Sequence, residues 1–205
     1  MTISHSMDRL TERASRIPRV HELTALLAAS QWFEHVLAIA AGVDAPQWWI
    51  CAGVIRDLVW SERFGSGFDP TLTRDVDLAF FDPLHLEPER DRDIELSLRS
   101  RDPSIPWDAK NQAAVHRWYP QRFGVAVEPF TSADEAVATF PEFAVCVAVR
   151  RAAGRTWDVA APYGLHDLLD GIWRRNPSRV TEAEYRSRLE RKRPRSRWAS
   201  VRVDP

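Results

Sequence analysis

Short apolar segments alternate along this chain with longer segments whose apolar residues recur at helical spacing, and this alternation constrains the fold most. The short segments predict strands at 48–52, 76–81, 105–110, 143–150 and 155–160. The longer segments predict helices at 21–41, 54–62, 89–101, 111–119, 132–140 and 165–173. Strands interleaved with helices, with one late hairpin, indicate an α/β (α+β) fold in which helices flank a mixed sheet of about five strands.

The length and composition fit one ordinary domain with additions at both ends. The chain has 205 residues, of which 44% are hydrophobic and 28% are charged, and this composition excludes a disordered protein. We expect an N-terminal helical extension at 1–46, a central domain at 47–177, and a basic C-terminal helix or tail at 178–205.

Several features predict a soluble, cytoplasmic protein with no membrane partner. The first five residues lack the basic and apolar blocks of a signal peptide, and no apolar run approaches the roughly 18 residues of a membrane span. Cys51 and Cys146 both lie within apolar runs, which predicts buried free thiols in a reducing compartment.

Charge is unevenly distributed, although the net charge of the chain is only -1. The segment 174–205 contains eleven Lys and Arg against four Asp and Glu. One interpretation is a solvated helix with a frayed end, and the other is a patch that holds an anionic substrate such as nucleic acid. Tyr185 and Trp198 are the aromatic residues of this segment, which is few for a base-stacking surface.

The segment from Cys51 to Asp57 joins an apolar strand to a helix through Gly53. Glycine lets the backbone come close to an anion, and the N-terminus of the following helix presents unpaired N–H donors with partial positive charge. Gly53 is therefore a candidate phosphate-binding residue. The alternative is that this strand–glycine–helix turn only changes the direction of the chain.

Asp75 and Asp77 lie two residues apart at the start of the strand predicted at 76–81. Both carboxylates should point one way, while Val76 and Leu78 point into a core. Two adjacent carboxylates repel by roughly 1–4 kcal/mol, depending on the local dielectric, and a cation offsets that cost. Because Mg²⁺ is typically held by carboxylates and substrate phosphates, this pair is a candidate metal site. A solvated strand end is the alternative.

A glycine turn followed by an Asp-x-Asp strand resembles the nucleotidyltransferase superfamily, and in particular a bacterial family of nucleotidyltransferase-like proteins. The resemblance spans about residues 47–177 and so covers most of the chain, and its blocks are 52–60, 75–77, 107–113 with His116, and 161–168. The glycine turn is also similar to the catalytic heads of tRNA CCA-adding enzymes and poly(A) polymerases, whose large helical domains do not fit this length. The chain departs from the commoner pattern because Val54, rather than Gly or Ser, follows Gly53.

The resemblance implies that a nucleoside monophosphate is transferred from a nucleoside triphosphate to an acceptor hydroxyl, with release of pyrophosphate. It also implies two Mg²⁺ ions about 3.5–4 Å apart, bound by Asp75, Asp77 and a third carboxylate that helps to activate the hydroxyl. Asp108, on the next predicted strand, is the candidate for that third ligand, and Asp158 is the alternative. The acceptor can be a small molecule, a protein or an RNA end.

The resemblance further implies nucleotide-binding roles for four residues. Arg56 lies in the first helical turn after the glycine, and Lys110, Asn111 and Gln112 lie at a strand-to-helix turn. Simpler interpretations exist for two of them. Arg56 can form a surface ion pair with an acid of its own helix, and Asn111 can cap a helix.

Two other functions stay open at this point. One is a regulatory module that binds nucleotide or metal without turnover, which Val54 favours. The other is a protein that modifies RNA ends, which the basic segment after Arg174 favours. A metal-dependent phosphohydrolase is less favoured because paired His-Asp motifs are absent; the sequence has a single His-Asp dipeptide, at 166–167.

Overall fold

A five-stranded mixed sheet forms the centre of the molecule in the computed structural model, which describes residues 17–152 and 156–204. The strands are β1 (Trp49–Cys51), β2 (Val76–Phe80), β3 (Trp107–Asn111), β4 (Ala148–Arg151) and β5 (Trp157–Ala160). Their order is β3-β2-β1-β4-β5; β2 and β3 run parallel, and the other neighbouring pairs run antiparallel. This architecture confirms the mixed sheet that the sequence predicts.

Helices lie before, between and after these strands. Their described bounds are α1 (Ile17–Ala29), α2 (Gln31–Ala40), α3 (Gly53–Phe64), α4 (Pro88–Arg101), α5 (Val115–Phe123), α6 (Ala133–Val137), α7 (His166–Leu169), α8 (Glu182–Lys192) and α9 (Pro194–Arg197). Short 3-10 turns occur at Pro70–Leu72, Gln112–Ala114 and Phe143–Val145. A small second sheet pairs β6 (Ile172–Trp173) with β7 (Arg202–Val203) in parallel.

The two faces of the five-stranded sheet differ. On the closed face, Val76, Leu78 and Phe80 of β2 are fully buried and pack with side chains of α1, α2, α3, α4 and α8 in one core. The alternation of β2 produces this face, because every second side chain points to the same side. The N-terminal helices and the C-terminal helix therefore share a core with the sheet. The opposite side, which carries Cys51, Asp77 and Asp108, is called the open face below, although a second buried cluster that includes Ala79 and Val137 covers part of it.

Side-chain caps set several helix boundaries. Ser132 accepts a hydrogen bond from the Glu135 N–H at 3.2 Å and starts α6, as the sequence predicts. Thr181 and Glu184 form a capping box at the start of α8. Such caps satisfy N–H groups that have no partner within the helix.

The helix predicted at 21–41 is wrong as a single element, because the chain bends by 96° between α1 and α2. Ser30 lies at the break, and its Oγ accepts a hydrogen bond from the Phe33 N–H at 3.2 Å. A serine that caps a new helix favours a break over continuation, since its hydroxyl competes with the helical hydrogen bonds. Both helices keep their apolar sides against the closed face, and Leu27 and Phe33 are fully buried.

Two other predicted elements are shorter than expected. The strand predicted at 143–150 begins at Ala148, because 143–145 forms a 3-10 turn. The helix predicted at 165–173 is the four-residue α7, and Gly171, with a φ of 68°, turns the chain into β6. The start of the chain and the turn of the predicted late hairpin, between the strands predicted at 143–150 and 155–160, fall wholly or partly outside the described residues.

Cys51 and Cys146 are buried free thiols, as predicted. Within the described ranges, no single helix is both long and apolar enough to cross a bilayer, and α1 and α2 reach that criterion only as a bent pair.

Candidate active site

The strand register brings three predicted acids together. Asp77 of β2 lies opposite Asp108 of the parallel strand β3 and opposite Cys51 of the antiparallel strand β1. Directly opposed residues point to the same face of a sheet, so these side chains share the open face. Asp75 precedes Asp77 by two residues, and all three aspartates line one cleft of about 880 Å³.

Asp77 lies in an environment that disfavours its charged form. Burial, followed by the negative charges of Asp75 and Asp108, raises the pKa of Asp77 from 3.8 to about 7. A hydrogen bond from the Gly53 N–H and the charge of Lys192 act in the opposite direction. The cluster therefore has more negative charge than its surroundings neutralise, and a bound cation would relieve this imbalance.

Asp108 has a protein counter-ion. Its Oδ1 lies 2.7 Å from the Nζ of Lys110, and the two side chains are 44% and 42% exposed. Burial lowers the pKa of Lys110, but the hydrogen bond and charge of Asp108 outweigh it, so the net shift is upward.

The carboxylates of these three aspartates are the type of ligand that a hard cation binds, but they are not arranged around a common metal position. Three carboxylates on adjacent strands are the donor type that Mg²⁺ prefers. However, no group of three or more Asp, Glu, His or Cys side chains in 17–152 and 156–204 is arranged to hold a metal ion. Asp108 pairs with Lys110 through Oδ1, so in a metal site Asp108 would bind through Oδ2 or exchange the contact of Oδ1.

The turn beside the acids is made by Ala52 and Gly53 together. Ala52 has φ 61° and ψ -123°, which is a strained conformation for a residue with a Cβ, and Gly53 is the first residue of α3. The residue with a positive φ in this turn is Ala52, not the glycine that follows it. Gly53 contributes its N–H to Asp77, and a Cβ at Gly53 would lie 3.7 Å from the Asp75 Oδ1.

An aromatic wall closes one side of the same cleft. It consists of Trp118, Tyr119 and Phe123 of α5 together with Phe130. The Tyr119 and Phe123 ring centroids are 4.5 Å apart. The Arg179 guanidinium lies 5.1 Å from the Tyr119 ring centroid and 4.8 Å from that of Phe130. Rings backed by a cation can hold a planar ligand group.

A polar wall from α8 closes another side. The α8 wall consists of Glu184, Ser187, Arg188, Arg191 and Lys192. Spacings of three and four residues place side chains on one side of a helix, so this stripe follows from the helical period.

Comparisons with known proteins agree with this geometry. A family model described as "Nucleotidyltransferase" matches residues 38–203. The chain belongs to this nucleotidyltransferase family. A solved structure titled "The NMR structure of the protein reveals a CCA-adding enzyme head domain" is similar, with a TM-score of 0.75 and 26% sequence identity. That match covers 90% of this chain and 95% of the other. A search of curated proteins found no match.

Arg56, which the family resemblance assigns to nucleotide binding, is engaged within the protein. It is 4% exposed, and its Nε and Nη2 donate to Asp57 Oδ1 at 2.9 and 2.5 Å. Its guanidinium also lies 4.7 Å from the Trp173 ring centroid and 5.7 Å from that of Trp198. The expected pair with an acid of its own helix is present, but it is buried among indole rings rather than at the surface. Arg56 still borders the cleft.

The three predicted residues at the end of β3 differ in placement. Lys110 and Gln112 line the cleft, whereas Asn111 is 1% exposed and is not among the lining residues. The Asn111 amide donates to the carbonyls of Asp82 and His85 at 2.8 and 2.7 Å, and its Oδ1 accepts from the Asp82 and Ala113 N–H groups. Because these bonds use its polar atoms, Asn111 is a structural cap and is left out of the proposed nucleotide site.

The structure separates the two candidates for the third carboxylate. Asp158 lies on β5, at the opposite edge of the sheet from β3, and does not line the cleft. Its Oδ2 lies 2.9 Å from the Nε of Arg150. Asp108 is the acid in register with Asp77, so this nucleotidyltransferase fold favours Asp108.

Sequence reasoning missed the aromatic wall and the α8 wall as parts of the site. Both are separated in sequence from the acids, so no local motif connects them. The stripe at 184, 187, 188, 191 and 192 could have marked one side of α8, and the aromatic spacing at 118, 119 and 123 could have marked α5.

Proposed function

We propose that this protein is a Mg²⁺-dependent nucleotidyltransferase that transfers a nucleoside monophosphate from a nucleoside triphosphate to a hydroxyl group of an acceptor. Family membership supports nucleotidyl transfer in general. The observation that carries the specific proposal is the register of Asp77 with Asp108 on the open face, with Asp75 lining the same cleft.

In the proposed reaction, a bond forms between the acceptor oxygen and the α-phosphorus, and the bond from the α-phosphorus to the bridging oxygen breaks. Pyrophosphate leaves with that oxygen, and the hydroxyl proton passes to a carboxylate, for which we propose Asp108. When bound, Mg²⁺ supplies charge neutralisation for the reacting oxygens.

The remaining tasks belong to the chain. Asp75, Asp77 and Asp108 would hold the metal, with Asp108 binding through Oδ2 or exchanging the contact of Oδ1 with Lys110. Lys110 would then neutralise phosphate charge close to the acids. Gln112, which lines the cleft and donates from its Nε2 to the Lys110 carbonyl at 3.1 Å, would help to position the nucleotide.

The acceptor remains a small molecule, a protein or an RNA end. The solved relative is described as a CCA-adding enzyme head domain, which by analogy keeps RNA among the acceptors. The basic segment 174–205 gives little additional support to an RNA acceptor, because many of its arginines have partners within the protein. Those with acidic partners are Arg174, Arg186, Arg188, Arg197 and Arg202.

A second candidate is a module of the same family that binds nucleotide without transferring it. The Asp108–Lys110 ion pair favours this candidate, because it engages one oxygen of the carboxylate that catalysis needs. The two candidates predict the same binding and differ in turnover.

Isothermal titration with each of four nucleoside triphosphates, with and without Mg²⁺, tests binding, and pyrophosphate release in the presence of acceptor mixtures tests transfer. We expect Mg²⁺-dependent binding and pyrophosphate release by the wild type, both lost in Asp108→Asn. Asp158→Asn is the matched control, since it removes one carboxylate outside the cleft. Binding without release favours the second candidate, and absence of binding to any triphosphate contradicts both.

A further inference from the structure

The lining of the cleft is of two kinds. The three aspartates and the α8 wall supply charged groups, whereas the aromatic wall supplies apolar rings. Further apolar side chains line the same cleft, namely Val115, Phe140, Pro141, Val145 and Val180. An apolar lining of this kind favours a ligand with a ring system, because burial of apolar surface contributes free energy in proportion to its area.

Arg179 gives the aromatic wall a positive charge that is held in place. Its half-buried guanidinium stacks on the rings of Tyr119 and Phe130. The pKa of Glu135 is lowered mainly by hydrogen bonds from Thr131, and the charge of Arg179 adds to this effect. Within 17–152 and 156–204, however, Arg179 forms no ion pair or hydrogen bond. Stacking thus orients the guanidinium and leaves its N–H donors available to an acidic group of a ligand.

Strand β3 connects the aromatic wall to the acid that accepts the proton in the proposed reaction. Asp108 and Lys110 of β3, and Gln112 just after it, are spaced by two residues and all line the cleft. Helix α5, which carries Trp118 and two other rings of the wall, begins three residues after Gln112. The aromatic wall therefore continues a row of cleft residues that starts at Asp108, where the acceptor hydroxyl must lie in the proposed reaction.

A nucleobase fits the aromatic wall less well than an apolar ring does. The edges of a base carry several hydrogen-bonding groups, and burial of such groups without partners costs free energy. Besides the guanidinium of Arg179, the wall offers the Tyr119 hydroxyl and the Trp118 indole N–H. This small set pairs poorly with the edge of a base. An aromatic ring with one acidic substituent, in contrast, is satisfied by stacking and by Arg179.

We propose that the aromatic wall and Arg179 form the acceptor subsite, and that the acceptor is a small hydroxylated molecule with an apolar aromatic ring and an acidic group. The ring would stack on the wall, the acidic group would pair with Arg179, and the hydroxyl would lie near Asp108. In the transfer, the hydroxyl oxygen bonds to the α-phosphorus, its proton passes to Asp108, and pyrophosphate leaves with the bridging oxygen. The inference rests on the proposed function in taking the occupant of this subsite to be the acceptor.

Binding of aromatic acids to the full chain without nucleotide tests the subsite apart from any transfer reaction. The probes are hydroxyphenylacetate and hydroxynaphthoate, with tyramine as the cationic analogue and hydroxycyclohexylacetate as the non-aromatic one. Calorimetry should show that the aromatic acids bind at least about fivefold more tightly than either analogue. Tyr119→Leu should weaken their binding about 3- to 10-fold and Arg179→Gln about tenfold, whereas Tyr119→Phe should retain most of the affinity.

Tyr163→Leu is the matched control for the ring, because Tyr163 is 48% exposed and does not line the cleft. Arg195→Gln is the control for the charge, because Arg195 is exposed on α9 and also lies outside the cleft. Thermal unfolding of each variant verifies that the fold is retained. Equal affinity of Tyr119→Leu and Tyr163→Leu for the aromatic acids, or no saturable binding of these acids by the wild type, would overturn the inference.

A parallel titration with nucleoside triphosphate and Mg²⁺ separates this inference from the proposed function. We expect Tyr119→Leu and Arg179→Gln to bind the triphosphate as tightly as the wild type does. Loss of triphosphate affinity in both variants would assign the rings to the nucleotide and overturn the acceptor subsite, while nucleotidyl transfer would stand. A wild type that binds aromatic acids and no triphosphate would contradict the proposed function and support the ring-binding subsite itself.

Discussion

The two faces of the five-stranded sheet show how one strand can serve stability and chemistry at once. On the closed face, Leu78 is fully buried among apolar side chains, and each neighbour adds to the same core. On the open face, the adjacent residue Asp77 lies beside the carboxylates of Asp75 and Asp108 instead, and Asp108 forms an ion pair with Lys110. The closed face lowers the free energy of the folded state, whereas the acidic part of the open face holds like charges together at a cost. Such an arrangement is typical of a functional site.

The largest expected effect is on activity, from the open face. Asp77→Asn removes one charge of the carboxylate cluster with almost no change in volume. We expect the transfer rate to fall roughly 10³-fold, because charge neutralisation in the reaction is worth several kcal/mol. Pyrophosphate release under saturating triphosphate measures it, with Asp158→Asn as the control. A rate within a few-fold of wild type would show that the carboxylate cluster does not carry the chemistry.

The matching change on the closed face is Leu78→Ala. We expect it to lower the free energy of unfolding by about 2–5 kcal/mol, since it leaves a cavity in a fully packed core. Urea denaturation followed by tryptophan fluorescence measures this, and nucleotide affinity of the folded fraction should stay near that of the wild type. A small loss of stability with a large loss of affinity would reverse the assignment of the two faces.

The pH dependence of stability sharpens the comparison further. The folded protein keeps Asp77 protonated up to a pKa of about 7, whereas the unfolded chain releases that proton near the ordinary value of 3.8. The folded state therefore binds more protons between these values, and stability contributed by Asp77 falls as pH rises through this range. We expect a decrease on the order of 1–3 kcal/mol between pH 4 and 8 in metal-free protein.

Urea midpoints at several pH values, with EDTA present, measure this decrease. Asp77→Asn should flatten the profile, because the amide does not titrate. Leu78→Ala should shift the whole profile downward without changing its slope. An identical slope in Asp77→Asn and wild type would contradict the raised pKa of this carboxyl group.

The smallest predicted effect concerns the turn between β1 and α3. Ala52→Gly should raise the free energy of unfolding by about 1 kcal/mol, because relief of the strained backbone exceeds the added flexibility of the unfolded chain. Ala41→Gly is the control, since Ala41 has an ordinary φ of -67° and its replacement should destabilise the protein. Equal destabilisation by both changes, measured by urea midpoints, would show that Ala52 stores no strain.

Local patterns were enough to predict the sheet and part of the site. The alternation around Asp75, Val76, Asp77 and Leu78 predicted both the strand and the shared direction of the two acids. Ser132 predicted the start of α6 because its cap is a local interaction. The break at Ser30 was missed, since a serine within an apolar helical pattern is compatible with either continuation or a new cap.

Relations between distant segments could not be predicted in the same way. The choice between Asp108 and Asp158 depends on sheet order, which puts β3 beside β2 and β5 at the far edge. The burial of Arg56 depends on Trp173 and Trp198, which come from the second half of the chain. The position of the α8 wall likewise depends on long-range contacts, in which Tyr185 bonds to the Trp173 carbonyl and Arg188 to Glu142.

The late position of α8 and β7 in the chain has a consequence for biosynthesis. When residue 180 leaves the ribosome exit tunnel, all five strands of the main sheet have already emerged, and so have Asp75, Asp77 and Asp108. It still lacks Tyr185, Lys192 and the strand that pairs with β6. Emerging chains therefore display the acidic surface before the helix that lines the other side of the cleft has been made.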